Sequence, residues 1–516
     1  MIFKSVFCVV TVLQLCEGAK ILGIIPTPSY SHQLAFQPIW RELSLRGHNV
    51  TVITANPLND PKLINLTEIN ISTVYDCIKR NNVWDLAANK NILFLINSFI
   101  ELMRDWSEVI LSHPQVQQLI KDPSFNFDLV FYEALSPVSL AFAYKYKCPA
   151  IGMASMDVPF MYHQAMGNPT HPLVSPDYNL KIEDTENMSF FDRFTAVFSD
   201  FVGNVLVRVL FTPVLNDVHK KHFGEDFPDV YDLFNLTDII FTTTNPIFNN
   251  IRPVNPNTFT IGGGLHIQKP KPLPNDLKQY LDGANDGVIY FSLGSNVKGS
   301  LLTEQSKTAI MNVFSQLPQK VLMKCDWENI TIPQNVKVEK WLPQQDLLRH
   351  PNIKLFVTQG GLQSLQEAIT NGVPIVGIPF FGDQYSNVFR SVKKGFAVRL
   401  NKDDITEESF KGAVLEVLNN PKYKETAIKM GQIMYDEPMT SLEKVIWWTE
   451  YVIRHKGAQH LKSNAPRLPF YQYYLLDVIG IVLLSFLVLI YVLYKLFCVL
   501  RFLWRSVLKI FKTKQD

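Results

Sequence analysis

Twice along this chain, short apolar runs alternate with longer helical patterns, and that alternation narrows the fold more than any other feature. In the first series, residues 20–25, 49–54 and 127–131 read as strands. A loop over 26–31 leads into a helix through Leu45, and helical stretches cover 91–111 and 190–210. Between 251 and 274 the composition turns to Pro, Asn, Gly and Lys, which reads as a linker. A second series follows, with strands at 288–292, 321–323, 354–358 and 373–378. Strands separated by helices imply parallel sheets covered on both faces. The expected fold is therefore α/β, with two doubly wound Rossmann-like domains at 20–250 and 275–435. Helices at 436–470 are expected to cross back to the first domain. A cleft between the carboxyl ends of the two sheets is where such folds take ligands. A chain of 516 residues is in any case too long for one core.

Both ends point to a membrane. The first 19 residues combine Lys4, an apolar run from Val6 to Leu15 and small residues at Gly18-Ala19, the pattern of a secretory signal peptide. Near the other end, 478–494 carries no charge, and the apolar stretch 475–496 is long enough to cross a bilayer as a helix. The tail 497–516 contains Arg501, Arg505, Lys509, Lys512 and Lys514, so the positive-inside bias places it in the cytosol. Lys512 and Lys514 stand where the retrieval signal of endoplasmic-reticulum proteins carries lysines. The expectation is a type I single-pass protein with its folded domains in the lumen. Asn49, Asn65, Asn70, Asn187, Asn235 and Asn329 all sit in N-x-Ser/Thr and precede the span, consistent with glycosylation there. The 49 basic residues are balanced by 47 acidic ones, which argues against a nucleic-acid partner. Cys77, Cys148 and Cys325 are the cysteines between the two terminal segments, too few for a disulfide framework.

From Trp341 the chain reads WLPQQDLLRHPNIKLFVTQGGLQSLQEAITNGVPIVGIPFFGDQ. Trp341 offers a flat face for a base, and Gln344 both donates and accepts. Thr358-Gln359-Gly360-Gly361 leads from an apolar strand into a helix, whose first N–H groups and dipole form an anion site. Gln363 and Ser364 add donors in the first turn. Ser292, Gly294 and Ser295 form a second strand-to-helix loop in the same domain. No Asp-x-Asp cluster with metal-ligand spacing is present, so neither a metal nor a resident cofactor is expected.

This segment resembles the donor-binding signature of the UDP-glycosyltransferases, and the resemblance extends to Phe291–Ser295, Gly263–His266 and the helix at 447–461. It implies a GT-B fold with a UDP-sugar as co-substrate. Glu367 would then grip the ribose hydroxyls, and Asp383 and Gln384 those of the donor sugar. Arg252 would lie near the diphosphate or sugar, and Lys324 stands where vertebrate members carry Arg. Gln359 replaces a His of many vertebrate members. It keeps a donor for the phosphate but cannot become cationic.

The resemblance also implies a catalytic pair. His32 follows the first strand in the place of the family's general base, and imidazole titrates near neutrality. Five steps past Asp128, Glu133 takes the place of the family's carboxylate partner, one methylene longer than the usual Asp. The implied reaction inverts the anomeric carbon, passing a hexosyl group to a hydroxyl of a small lipophilic acceptor. UDP-glucose is the favoured donor, with UDP-glucuronate the alternative because Arg252 could pair its carboxylate. A catalytically inactive sugar-nucleotide-binding subunit, a lipid-directed transferase and a homo-oligomer stay open.

Overall fold

In the computed structural model, the described residues are 18–80, 92–177, 180, 182, 184–295, 297, 299–327 and 330–512. Most of the expected signal segment, Asn91, Asn329 and Lys514 lie outside them. The described chain forms two units, one ending at Lys462 and the other beginning at Ser463.

The larger unit contains two sheets. The first is built from β1 (Lys20–Ile25), β2 (Asn49–Thr54), β3 (Leu66–Asn70), β4 (Leu129–Glu133), β5 (Ala150–Ala154), β6 (Thr237–Thr242) and β7 (Thr258–Thr260), in the order β3-β2-β1-β4-β5-β6-β7. The second comprises β8 (Val288–Ser292), β9 (Lys320–Lys324), β10 (Val336–Glu339), β11 (Ile353–Thr358), β12 (Ile375–Gly377) and β13 (Ala397–Arg399), in the order β10-β9-β8-β11-β12-β13. Every pairing is parallel. Both orders reverse direction beside the first strand of the sheet, the switch point at which a doubly wound fold opens its ligand crevice.

Side chains alternate between the faces of each sheet, as the two-residue period requires. Along β1, Ile21 and Ile25 enter one apolar cluster while Leu22 and Ile24 enter the other. Gly23 lies on the first of these faces, where Trp40 leaves little room for a side chain; an added Cβ would stand 3.0 Å from the indole. The segment expected as a linker contributes β7, which pairs with β6 at the edge of the first sheet.

Three of the helices around the first sheet bear on the expectations above. One, α1 (Tyr30–Leu45), takes in the last two residues, Tyr30 and Ser31, of the loop expected at 26–31. Another, α2 (Phe190–Leu206), runs through a π-turn at Val207–Phe211 into a further helix ending at Phe223, well past the expected end at 210. The last, α3 (Ser441–His455), returns to the first sheet, where Val445, Ile446 and Val452 share a cluster with Ile21, Ile25 and Phe241. Asp238, in β6, fastens the end of that return. It is buried, and its Oδ1 accepts from Ala458 N (3.0 Å) and Gln459 Nε2 (3.1 Å), while Oδ2 accepts from Ala150 N (3.3 Å). Asp238→Ala strands these donors, so it is expected to cost about 2–4 kcal/mol. Urea or thermal unfolding would register this as a lower midpoint.

The smaller unit consists mainly of one helix, α4 (Leu476–Lys512). Its apolar part, Leu476–Leu508, is long and apolar enough to cross a membrane. At 37 residues it extends for roughly 55 Å, and Arg501 and Arg505 fall in its last third.

Candidate active site

The larger unit carries a cavity of about 670 Å³ between the carboxyl ends of its two sheets, lined by residues of both halves. Its construction starts with the loop after β1. Gln33, in the first turn of α1, is buried, and its Nε2 donates to Ile25 O (2.9 Å) and Thr27 O (2.8 Å). Its Oε1 accepts from Thr54 Oγ1 at 2.6 Å, and Trp106 Nε1 donates to Pro26 O at 3.1 Å. A loop that would otherwise bury unpaired carbonyls is thereby fixed, and His32 is held at the start of α1 facing the cavity.

Glu133, the last residue of β4, is fully buried behind it. Its Oε2 accepts from Thr27 N (3.1 Å), and its Oε1 lies 3.2 Å from His32 Nδ1. A carboxylate only accepts, so Nδ1 carries the hydrogen and Nε2 is left with its lone pair. Glu133 does not itself reach the cavity wall. The pair is therefore an imidazole whose tautomer is set from behind by a desolvated carboxylate.

The second half supplies two turns. After β8, Ser292 Oγ accepts from Gly294 N (3.3 Å), and Gly294 adopts φ +78°. The space a side chain would fill there is taken by the Gln359 amide, whose Oε1 accepts from Thr358 Oγ1 at 2.9 Å. Gly361 caps the helix Leu362–Thr370, leaving that helix start open to the cavity. Ser292 is buried beneath its turn rather than in the cavity wall, while Gly294, Ser295, Gln359, Gly361, Gln363 and Ser364 line it. Lys324 joins them, its Nζ 4.4 Å above the Trp341 ring, and burial lowers its pKa. Trp341 is 58% exposed and meets the Tyr30 ring edge-on across the cleft, centroids 5.4 Å apart.

Glu367 is engaged on both oxygens. Gln344 Nε2 donates to Oε2 (2.7 Å) and to Ser364 Oγ (3.0 Å), and Gln345 Nε2 donates to Oε1 (3.0 Å). Tyr290 OH donates to Gln344 Oε1 at 3.0 Å. His266 Nε2 lies 3.3 Å from Glu367 Oε1, near enough for electrostatic attraction but poorly aligned for a hydrogen bond. Sequence reasoning did not single out Gln345 or His266 as site residues. The only signals were the Gln344-Gln345 doublet and a His within the stretch 263–266. Gln363 spans the cleft, its Nε2 donating to Ser31 O at 2.6 Å.

After β12, Asp383 accepts from Asn387 Nδ2 (2.8 Å), and burial raises its pKa despite the favourable charge of nearby His32. Gln384 Oε1 accepts from Phe380 N (2.9 Å) and Phe381 N (3.2 Å), which orients the amide at the cavity wall. Arg252 stands apart from this wall. It lines an adjoining cavity of about 320 Å³, which shares Asp383 with the first. There its guanidinium lies 3.3 Å from Asp157 Oδ2 and donates to Ser175 Oγ at 2.6 Å.

Helix starts, glycine turns and amide donors on one side, with an oriented imidazole on the other, suit transfer from a phosphorylated donor to a deprotonated acceptor. Comparison with known proteins agrees. Residues 19–514 match the family model described as UDP-glucoronosyl and UDP-glucosyl transferase. UDP-glucosyltransferase 2 of Dactylopius coccus is 35% identical over 482 residues, covering 91% of each chain. UDP-glucuronosyltransferase 2B7 of Homo sapiens is 30% identical, covering 94% of each. Among solved structures, the glycosyltransferase of kitacinnamycin superposes with a TM-score of 0.57 at 18% identity, over 84% of this chain and 99% of that one. The calicheamicin glycosyltransferase CalG4 gives 0.55 at 17%, over 85% and 99%. This chain belongs to the UDP-glucuronosyl- and UDP-glucosyltransferase family, and it is a UDP-sugar glycosyltransferase of GT-B fold.

Proposed function

We propose that the chain transfers glucose from UDP-glucose to a hydroxyl of small lipophilic acceptors, with inversion and without a metal. The observation that carries the chemistry is His32, held through Nδ1 by buried Glu133 and facing the cavity. His32 Nε2 takes the acceptor's hydroxyl proton as that oxygen bonds to the anomeric carbon. The bond from that carbon to the β-phosphate oxygen breaks on the opposite face, and its electron pair leaves with UDP. Glu133 meets the positive charge that develops on the imidazole. The start of the helix Leu362–Thr370 and the turns at Gly294 and Gly361 receive the diphosphate charge. Lys324 and Trp341 lie at the uridine end, and Asp383 and Gln384 bind sugar hydroxyls. Glu367 would meet the ribose from within its glutamine cradle.

The choice of glucose rests on charge. Arg252, the cation that would pair a hexuronate carboxylate, lies outside the main cavity wall and is already neutralised by Asp157. Asp383 adds a carboxyl beside the sugar position, which disfavours a second one there. The resemblance to the glucosyltransferase of Dactylopius coccus supports the same choice. With a phenolic acceptor, UDP-glucose is expected to give at least tenfold higher kcat/KM than UDP-glucuronate when UDP release is followed. A preference for the glucuronate would overturn the donor assignment and leave the transfer mechanism intact.

The anchored topology belongs to the same reading. Segment 475–496 is proposed to span the endoplasmic-reticulum membrane, with both sheets lumenal and 497–516 cytosolic. Asn49, Asn70, Asn187 and Asn235 are exposed and Asn65 half-buried, which supports their role as glycosylation sites.

A further inference from the structure

The start of α1 is built on the first sheet, yet two side chains of the second half hold it. Tyr30, its first residue, meets the Trp341 ring edge-on, with centroids 5.4 Å apart. Ser31, its second, accepts at its backbone oxygen from Gln363 Nε2 at 2.6 Å. His32 comes next. A carbonyl oxygen has two lone pairs, so Ser31 can serve its own helix and still take this bond.

Gln363 stands in the first turn of the helix Leu362–Thr370, where a donor suits an anion at the helix start. Its amide is turned instead to the peptide that joins Ser31 to His32. The first half holds this region differently. Gln33 Nε2 fastens the carbonyls of Ile25 and Thr27, and Glu133 holds Thr27 N and the His32 ring. Those bonds act on the loop before the helix and on the imidazole. Gln363 acts on the peptide between them, and it does so from the other side of the cleft.

We infer that Gln363 is a positioning residue, which sets where the His32 imidazole stands relative to the donor's anomeric carbon by tying the Ser31 carbonyl to the second half. The inference rests on the assignment of His32 as base proposed above. A base must come within hydrogen-bond reach of the proton that it removes, and a misplacement of about 1 Å can cost roughly 10²-fold in rate. His32 and the turns proposed to receive the diphosphate belong to different halves, so the bond spans the interval that has to be held. The diphosphate keeps its other donors at Gly294, Gln359 and the helix start at Gly361. Loss of the Gln363 amide therefore falls on kcat and not on donor affinity.

The test compares the full-length enzyme with Gln363→Met, which keeps the length of the side chain and removes its amide. With the preferred UDP-sugar and a phenolic acceptor, kcat is expected to fall roughly 10- to 100-fold. The KM for the UDP-sugar and the calorimetric affinity for UDP are expected to stay within about twofold, which also reports a folded second half. Because Gln363 acts through the base, adding Gln363→Met to His32→Ala should change the rate by less than about twofold. An unchanged kcat would overturn the inference. Weakened UDP binding with kcat retained would overturn it too, and would give the amide to the diphosphate. So would a loss in the double variant equal to the product of the single losses, since Gln363 would then act apart from His32. These results leave His32 as the base, whereas a His32→Ala loss of less than tenfold would overturn base and bridge together.

Discussion

His32→Ala is expected to lower the rate of glycosyl transfer by roughly 10²- to 10⁴-fold, the usual contribution of a positioned general base. Affinity for UDP should stay within about twofold. The separation follows from where the groups stand. His32 belongs to the half built on the first sheet, at the start of α1. The turns, helix start and amides proposed to receive the diphosphate belong to the second half, at Gly294, Gln359 and Gly361. Removing the imidazole leaves these intact while the acceptor hydroxyl loses its base. The measurement is UDP release with a phenolic acceptor, paired with UDP binding by calorimetry. A loss of less than tenfold would reassign the base, and Asp383, which lines the same cavity and feels the charge of His32, is the next candidate. A parallel loss of UDP binding would mean that His32 supports the donor site.

Much of this arrangement is written locally in the sequence. β1, β2 and β8 match their expected limits because each is a short run rich in apolar and β-branched residues between polar turns. β3 escapes the same reading. Its sequence, LTEIN, buries only Ile69 well, because it lies at a sheet edge and needs one covered face. β7 hides in a Pro- and Asn-rich stretch for the same reason, since three residues paired on one side require no apolar run. Site residues that follow strands were legible through glycine turns and helix starts. Their partners were not. Gln363 and Ser31 are 332 positions apart, and Gln345 and Glu367 meet only because two helices of one half, Gln344–Leu348 and Leu362–Thr370, converge. Arg252 shows the limit most clearly. Its place in the sequence pointed to the donor, but a largely buried guanidinium needs a counter-charge. The fold supplies that charge as Asp157, 95 positions away.

Glu133 is where the sequence departs from the family pattern and the geometry explains the tolerance. The longer side chain reaches His32 while its second oxygen holds Thr27 N, so the extra methylene is absorbed by fastening the loop as well. Glu133→Gln preserves that size and can still accept from Thr27 through its carbonyl oxygen. It then presents an NH₂ group to Nδ1, which must accept, and the ring hydrogen moves to Nε2. The nitrogen facing the cavity becomes a donor and cannot take the acceptor's proton. Turnover is therefore expected to fall by roughly 10²- to 10⁴-fold, as when a triad carboxylate is neutralised, with little change in the KM for the UDP-sugar. Because the two residues act as a unit, the double variant His32→Ala with Glu133→Gln should be no slower than His32→Ala alone. Glu133→Asp tests reach instead of charge: shortening the chain from 3.2 Å contact should cost about 10- to 100-fold unless the loop after β1 follows it inward. A Glu133→Gln enzyme retaining more than a tenth of its activity would show that the carboxylate serves the loop and not the imidazole. An additive loss in the double variant would separate the two residues into independent roles.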